Sequence, residues 1–457
     1  MLLFTLERKR IAAALFVLAA CAAGAREVLA QGDAPATPPA PAAPPAAPPA
    51  PPLGAPPLGA APLAPPAVSP PGAATAEPGA PAEAPKPKPK RKPPPPRETA
   101  LSDDPTPVLQ PETFFTTAKA SERYAAIVDA GGWPKVGASL RVGSKGPAVA
   151  ALRKRLAAED DQIADTSKPA WDAELTAAVK RFQFRMGLRQ TGVVAGATLR
   201  ALDVPASTRF RQLASSAQRL AGVDFPFGER YVVVNIPSTA VDAVENDRVV
   251  RRYTAIVGDP EHHSPEVQAK IVAVNVNPTW TVPVSIIKNE IAPKMLKDLS
   301  YLTRSRIRVL NAKGEEVDPR SINWASERAV NYTLRQDSGA GNSLGNIRIS
   351  MPNPHAVYMH DTPSRNLFAS DYRFLSHGCV RVQGVVDLAA WLLEPTGNWD
   401  KPAITAKIAT GEREEVRLPR AVPVIWVYLT GWASADGAVH FRDDVYGLDE
   451  VGGAGER

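Results

Sequence analysis

The stretch Asp33–Arg97 decides where this chain can fold. Its 65 residues hold 26 of the 48 prolines, set among alanines, and include the basic run Lys86-Pro-Lys-Pro-Lys-Arg-Lys92. Proline fixes φ and has no amide N–H, and neither proline nor alanine supplies much surface to bury. The composition therefore predicts a disordered, semi-rigid linker, taken to run over 31–110. At about 3.1 Å per residue it could reach on the order of 200 Å. A core has to be built downstream, with order expected to begin near Pro111.

Upstream, Arg8-Lys9-Arg10, the apolar run Ile11–Ala20 and small residues make 1–30 a signal segment. Roughly ten apolar residues are too few to span a bilayer. Val28-Leu29-Ala30 fits a signal-peptidase site. Leu18-Ala19-Ala20-Cys21 competes with it as a lipobox-like sequence, which would put a lipid on Cys21 and tie the chain to a membrane. Either way the expected location is the periplasm or cell envelope. The chain has two cysteines, Cys21 and Cys379, so no disulfide framework supports it and the body carries one free thiol. The net charge of +6 falls to about +4 once Arg8, Lys9, Arg10 and Arg26 leave with Glu7 and Glu27. That gives no electrostatic case for nucleic acid. In an exported chain the basic run reads as a solvated linker.

Phe114–Ala130 has helical periodicity (Phe115, Ala118, Tyr124, Ile127, Val128) within a segment taken as 111–139. A compact unit follows at 140–204. Pro147 opens a helix with Val149, Leu152 and Leu156 on one face. A second helix carries Trp171, Leu175, Val179, Phe182 and Met186, and a third Leu199 and Leu202. Leu140-Arg-Val-Gly143, Gly146-Pro-Ala-Val149, Ala178–Gln183, Gly187-Leu188 and Thr198–Leu202 resemble the peptidoglycan-binding domain 1 family, although Thr191-Gly192 stands where that family has Asp-Gly. The resemblance implies a three-helix wall-binding module with peptidoglycan glycan as partner. A connecting helix is expected over 205–228.

From Tyr231 the period becomes that of strands: Tyr231–Ile236, Val249–Val257, Lys270–Val276, Ile347–Ser350 and Val357–His360. Val284–Leu334 reads as helical and irregular, and Val385–Leu393 as a helix. Pro423–Thr430 and Val439–Phe441 close the pattern, and 431–457 is taken as a tail.

Met351–Gln383 holds three of the six histidines and Cys379. A thiol and two imidazoles on a strand–loop–strand unit are the minimum apparatus for cysteine acyl transfer. Ser376-His377-Gly378-Cys379-Val380-Arg381, with His360-Asp361-Thr362 upstream, resembles the signature of the L,D-transpeptidase (YkuD-type) catalytic domain. Asn277–Pro283 and Gly341-Asn342-Ser343-Leu344-Gly345 resemble the larger, YcbB-like branch of that family. The resemblance implies an α+β multidomain enzyme, its catalytic domain spanning 229–430 under a helical capping insertion at about 284–340. It further implies that Cys379 is the nucleophile and His360 the general base. Cys379 would attack the third residue of a peptidoglycan tetrapeptide stem, release the terminal D-alanine, and pass the acyl group to an amine of a second stem. Carbapenem acylation of Cys379 and independence from any cofactor are also implied. His377 is placed beside an oxyanion hole formed by the N–H groups of Gly378 and Cys379.

Arg381 shares a strand face with Cys379 and suits holding the loop, favouring the thiolate or binding a substrate carboxylate. Asp361 could orient His360 through its side chain or its carbonyl, and Ser376 could order the loop. Trp280, Tyr358 and Asn342 are expected to line the substrate site. Zinc lacks a fourth ligand at standard spacing beside His360, His377 and Cys379, so no metal is expected. His262-His263 reads as a polar loop, and His355 and His440 as surface or edge residues. Ser285-Ile-Ile-Lys288 and Ser321-Ile-Asn323 imitate penicillin-binding motifs without a following Lys-Thr-Gly, and Gly341–Gly345 imitates a nucleophile elbow without the strand before it.

Overall fold

The computed structural model describes residues 97–159 and 162–449, the side chains of Glu327 and Arg328 excepted. The signal segment, Cys21, the linker up to residue 96 and the tail from residue 450 lie outside the described residues. Within them, no helix is long and apolar enough to cross a membrane.

Ordered chain begins earlier than proline content suggests. Residues 97–110 are pinned as a strap. The N–H groups of Glu98 and Thr99 donate to the Asp371 carboxylate at 2.9 and 2.8 Å, and Arg252 donates to the carbonyls of Ser102, Asp104 and Thr106. Val108 and Leu109 are buried against Tyr231 and Trp432. The expected linker end at 110 is thus corrected: specific hydrogen bonds to distant groups order a segment that has no periodicity of its own.

The helical part comprises α1 (Thr113–Asp129), α2 (Pro147–Ala157), α3 (Ala173–Arg185), α4 (Gly196–Leu202) and α5 (Ala206–Leu220). Pro147 occupies the first turn of α2, where its missing N–H leaves no bond unmade. Asp172 caps α3 by accepting from the Leu175 N–H at 2.9 Å. Leu152, Leu156, Leu175, Val179 and Phe182 are fully buried. The core is not confined to 140–204, because Tyr124 of α1, Leu213 of α5 and Phe441 complete it. Two readings change here. Phe115 is exposed, and Trp171 precedes α3, its indole N–H bonded to Thr176 Oγ1 at 2.7 Å.

The part that follows the helices is a nine-stranded sheet. Its strands are β1 (Arg230–Asn235), β2 (Ala240–Glu245), β3 (Arg248–Gly258), β4 (Val267–Val276), β8 (Ile347–Ser350), β9 (Met359–His360), β10 (Phe374–Ser376), β11 (Val380–Val382) and β12 (Glu414–Val427). The order is β10-β3-β11-β9-β8-β4-β12-β1-β2. β3 also pairs with β2 along its first half, so the sheet curls back on itself. Inside lie Val232, Val274, Ile349, Met359, Val380 and Val424, with α9 (Val385–Leu393) packed against them. β12 reaches back to Glu414, well before the expected Pro423. Its register breaks between Arg417 and Val422, around Pro419, which cannot donate to a ladder.

The segment read as a helical insertion is mixed. β5 (Trp280–Thr281), β6 (Ile307–Leu310) and β7 (Thr333–Gln336) form a separate sheet in the order β5-β7-β6. Beside it lie α6 (Val284–Ile286), a π-helical turn Ile287–Ile291, α7 (Ala292–Lys297) and α8 (Tyr301–Arg304). Val282, Ile287, Met295, Leu302, Val309 and Leu334 give this part its own core. Lys401–Thr410 forms α10.

The expected tail is also corrected. β13 (Gly431–Ala433) and β14 (Val439–Phe441) form a hairpin whose Ala433, Val439 and Phe441 enter the helical core. His440 belongs inside with them, 7% exposed and stacked on Trp432.

Candidate active site

Sheet register assembles the site. Glu415, Asn275, Arg348, His360 and Arg381 are successive cross-strand partners on β12, β4, β8, β9 and β11. Direct partners point to the same face of a pleated sheet, so these side chains form one row. Cys379 precedes Arg381 by two residues, and Tyr358 precedes His360 by two, which puts both near that row. The Val380 N–H donates to the Tyr358 carbonyl at 3.1 Å and locks the two chains together beside the thiol. A cavity of about 1050 Å³ opens over the row, lined by Cys379, Tyr358, Trp280, Arg348, Arg335 and His377 among others.

The Cys379 side chain is half-buried, and desolvation pushes its thiol up to about 11 against opposing pulls from Tyr358, Arg381 and Arg348. Tyr358 is more than a wall: burial and the neighbouring Cys379 thiol push its hydroxyl well above the usual tyrosine range. His360 is 5% exposed. Burial, then the neighbouring Arg381 charge, lower it to about 3. Its Nδ1 lies 2.5 Å from the carbonyl oxygen of Asp361, and the Leu344 carbonyl also approaches the ring. At neutral pH the resting site is therefore a protonated thiol beside a neutral imidazole.

The carbonyl of Asp361, not its carboxylate, meets His360. The carboxylate accepts from the Asn346 N–H at 3.0 Å and Arg365 at 3.3 Å. Gly345 makes room for it: with φ +61, any Cβ there would lie 2.5 Å from the Asp361 side chain. Asn342 is 1% exposed. Its amide donates to the carbonyls of Pro278 and Asp337, and its oxygen accepts from the Leu344 N–H. The substrate-lining role expected of Asn342 is corrected to one of shaping the Leu344 turn, because its polar atoms are engaged within the loop.

Gly378 has φ +104, a conformation that favours glycine. Ser376 Oγ donates to the Cys379 carbonyl at 2.5 Å, and Ser264 Oγ donates to the Gly378 carbonyl at 2.7 Å. Among the described residues neither the Gly378 nor the Cys379 N–H is engaged by a backbone acceptor. His377 is exposed at the rim. Its ring lies 4.6 Å from that of His262, and Nε2 is 2.8 Å from Glu290 Oε1 on the π-helical turn. That contact has ion-pair distance without hydrogen-bond geometry, since Glu290 Oε1 has no hydrogen-bond partner. His263 faces away and stacks on Tyr446. The polar-loop reading of this pair is thus refined: each ring packs on an aromatic side chain.

Sequence reasoning missed Arg348, Ser264 and Glu290. Arg348 has a signal in retrospect, since it alternates with Ile347 and Ile349 and so faces away from the core. The other two are assembled only by tertiary contact. Ser285 lines the cavity, and no group of three or more His, Cys, Asp or Glu side chains among the described residues is placed to hold a metal ion.

Residues 229–415 match the family model described as "L,D-transpeptidase catalytic domain", YkuD. Residues 145–202 match "Putative peptidoglycan binding domain". The chain thus carries a YkuD L,D-transpeptidase catalytic domain joined to a peptidoglycan-binding domain of the PG_binding_1 family. A Haemophilus influenzae protein named "Putative L,D-transpeptidase" is 35% identical over 241 residues, covering 52% of this chain and 48% of that protein. The chain therefore spans about half the length of that relative. Among solved structures, an L,D-transpeptidase from Xylanimonas cellulosilytica is 18% identical at TM-score 0.22, covering 64% of this chain and 100% of that one. One from Stackebrandtia nassauensis is 14% identical at TM-score 0.25, covering 63% and 94%.

Proposed function

We propose that the chain is an exported cysteine L,D-transpeptidase that forms 3-3 cross-links in peptidoglycan. The observation that carries this reading is the row Arg348–His360–Arg381 set by strand register, with Cys379 and Tyr358 beside it and Arg348, Cys379 and Tyr358 lining one cavity. Cys379 Sγ attacks the carbonyl of the third stem residue while His360 takes the thiol proton. The amide bond to the terminal D-alanine breaks, and the departing amine leaves with the proton held on His360. An amine of a second stem then attacks the thioester, gives a proton to His360, and the thiol is regenerated. The N–H groups of Gly378 and Cys379 suit the oxyanion.

A neutral His360 beside a protonated thiol supports proton transfer during attack, in place of a standing ion pair. Arg348 supports a carboxylate-bearing substrate: it carries no ion pair among the described residues, its Nε is buried without a partner, and it lines the cavity. The insertion acts as a cap, a reading supported by Trp280, Ile286 and Arg335, which wall the cavity, and by Glu290 against His377. Asn277–Pro283 and Gly341–Gly345 favour the YcbB-like branch. Met1–Ala30 supports export, with a lipid on Cys21 as the alternative to cleavage after Ala30.

The test incubates the full chain with tetrapeptide-bearing disaccharide and reads intact mass and products, with Cys379→Ala alongside. A covalent adduct with loss of D-alanine and a dimeric product, all absent in the variant, is expected. An adduct that only hydrolyses would move the acceptor to a protein amine or a free D-amino acid. No adduct on folded, reduced protein would leave a wall-binding scaffold.

A further inference from the structure

A second cavity, of about 480 Å³, lies where the strap, the helical domain, the catalytic sheet and the C-terminal hairpin meet. Five arginines line it: Arg200, Arg209, Arg252, Arg373 and Arg442. Arg252 is neutralised by Asp242, at 2.6 Å from Nε. Arg200 sits at the surface and pairs with Glu98 at 3.4 Å. The other three have no carboxylate within salt-bridge distance among the described residues. Arg373 gives its N–H groups to Thr239 Oγ1 and to the carbonyls of Ser370 and Asp371. Arg209 is 3% exposed; it donates to Gln212 Oε1 and the Ala201 carbonyl, and its Nε is buried with no partner. In Arg442 only Nη1 has hydrogen-bond partners among the described residues, the carbonyls of Arg185 and Phe441.

Guanidinium groups held by neutral acceptors in a low-dielectric setting are costly unless an anion joins them. Burial lowers Arg209, Arg373 and Arg442 to about 10, in keeping with charge left uncompensated. The fold also keeps space for this arrangement. Gly187 has φ +67, and a Cβ there would lie 2.7 Å from Arg442 Cζ and 2.8 Å from Nε and Nη2. The nearby acids are engaged or peripheral. Asp371 is held by the strap, Asp104 accepts from the Thr106 N–H, and Asp443 is exposed.

We propose that this cavity is a binding site for a small oxyanion, a phosphate or a carboxylate carried on a ligand no larger than a sugar. Guanidinium forks match both anions, and the volume lies at the lower end of small-molecule sites. The site is separate from the Cys379 cavity and does not rest on the transpeptidase reading. Because the strap, both domains and the hairpin all line it, an occupant stabilises their junction.

The experiment titrates the full chain with inorganic phosphate and, separately, acetate at constant ionic strength, reading thermal unfolding. A saturable rise of about 2 °C or more is expected for one of them, and the anion that gives it identifies the source. Arg442→Gln should abolish the saturable part, and Asp443→Asn, at an exposed position, should move saturation to at least threefold lower concentration. No saturable rise with either anion overturns the proposal. A rise that persists unchanged in Arg442→Gln, or that Asp443→Asn leaves at the same midpoint, overturns it too. If Arg442→Gln does not fold, the Asp443→Asn midpoint decides alone.

Discussion

Alkylation of Cys379 as a function of pH separates two ways of making its thiolate. With the thiol at about 11 in place of its ordinary 9.0, the thiolate fraction at any pH well below 9 falls hundredfold. At pH 7.5 that is about 0.03% thiolate, against about 3% for an unperturbed thiol. His360, at about 3, is neutral from pH 5 upward and offers no imidazolium to offset this. In a Cys21→Ser background, pseudo-first-order labelling by iodoacetamide, read by intact mass, should rise close to tenfold per pH unit from 7 to 10. Arg381→Gln removes the larger of the two neighbouring charges that favour the thiolate and should slow labelling about tenfold further at a fixed pH. A rate that levels off below pH 8 would refute the reasoning, because it would show a thiolate–imidazolium pair already formed at rest. So would faster labelling in Arg381→Gln, which would mean that steric access, not charge, governs the thiol.

Gly345→Ala forces a left-handed alanine, costing about 1–2 kcal/mol, and drives its Cβ into Asp361. Denaturant midpoints should fall, and D-alanine release should slow by more than tenfold through the displaced His360; an unchanged rate would break the link from Asp361 to the base. Arg348→Gln should raise KM for the stem peptide by about tenfold or more, the loss expected of a charge-assisted contact, with kcat within about threefold. A selective fall in kcat would move Arg348 from binding to chemistry. His360 and His440 are both lowered from 6.5 to about 3, so the unfolded chain binds more protons between those values. Their contribution is complete above pH 6.5 and is lost as pH falls toward 3, about 5 kcal/mol each. His440→Phe should flatten the acid limb of a stability–pH curve, and an unaltered limb would count against its buried neutral state. Arg252→Ala leaves Asp242 buried without its cation and frees the carbonyls of the strap, so stability should drop by about 3–5 kcal/mol and protease sites should open within 97–110.

Local chemistry was legible in the sequence because it is encoded at short range. Ser376, Gly378, Cys379 and Arg381 fall within six residues, and Pro147 and the apolar faces of α2 and α3 follow helical spacing. Features fixed by distant partners were not legible. The strap carries no periodicity, and its order comes from Asp371 and Arg252, more than a hundred residues away. β6 and β7 lie within a charged, irregular stretch, and each is too short for alternation to outweigh the helices between them. His440 looked like an edge residue because stacking on Trp432 and packing beneath the helical core leave no trace in its neighbours.

The same distinction explains how the site is divided. Cys379, its loop and the N–H groups of Gly378 and Cys379 come from one continuous segment, so their relative geometry is set by backbone conformation at Gly378 and by Ser376. His360, Arg348 and Arg381 come from β9, β8 and β11, and only strand register sets their distance from the thiol. A one-residue slip of β9 would turn His360 into the core and put Met359 in the row, replacing the imidazole with a thioether. The register therefore needs support from outside the strands. Gly345, Asp361 and Asn346 supply it on the β8 side, and Ser264 supplies it on the loop side by holding the Gly378 carbonyl. Ser264→Ala should accordingly leave the thiol's labelling profile in place and weaken turnover, since the Gly378–Cys379 peptide that it holds carries the Cys379 N–H and not the thiol. Loss of the profile together with turnover would show that Ser264 supports the whole loop.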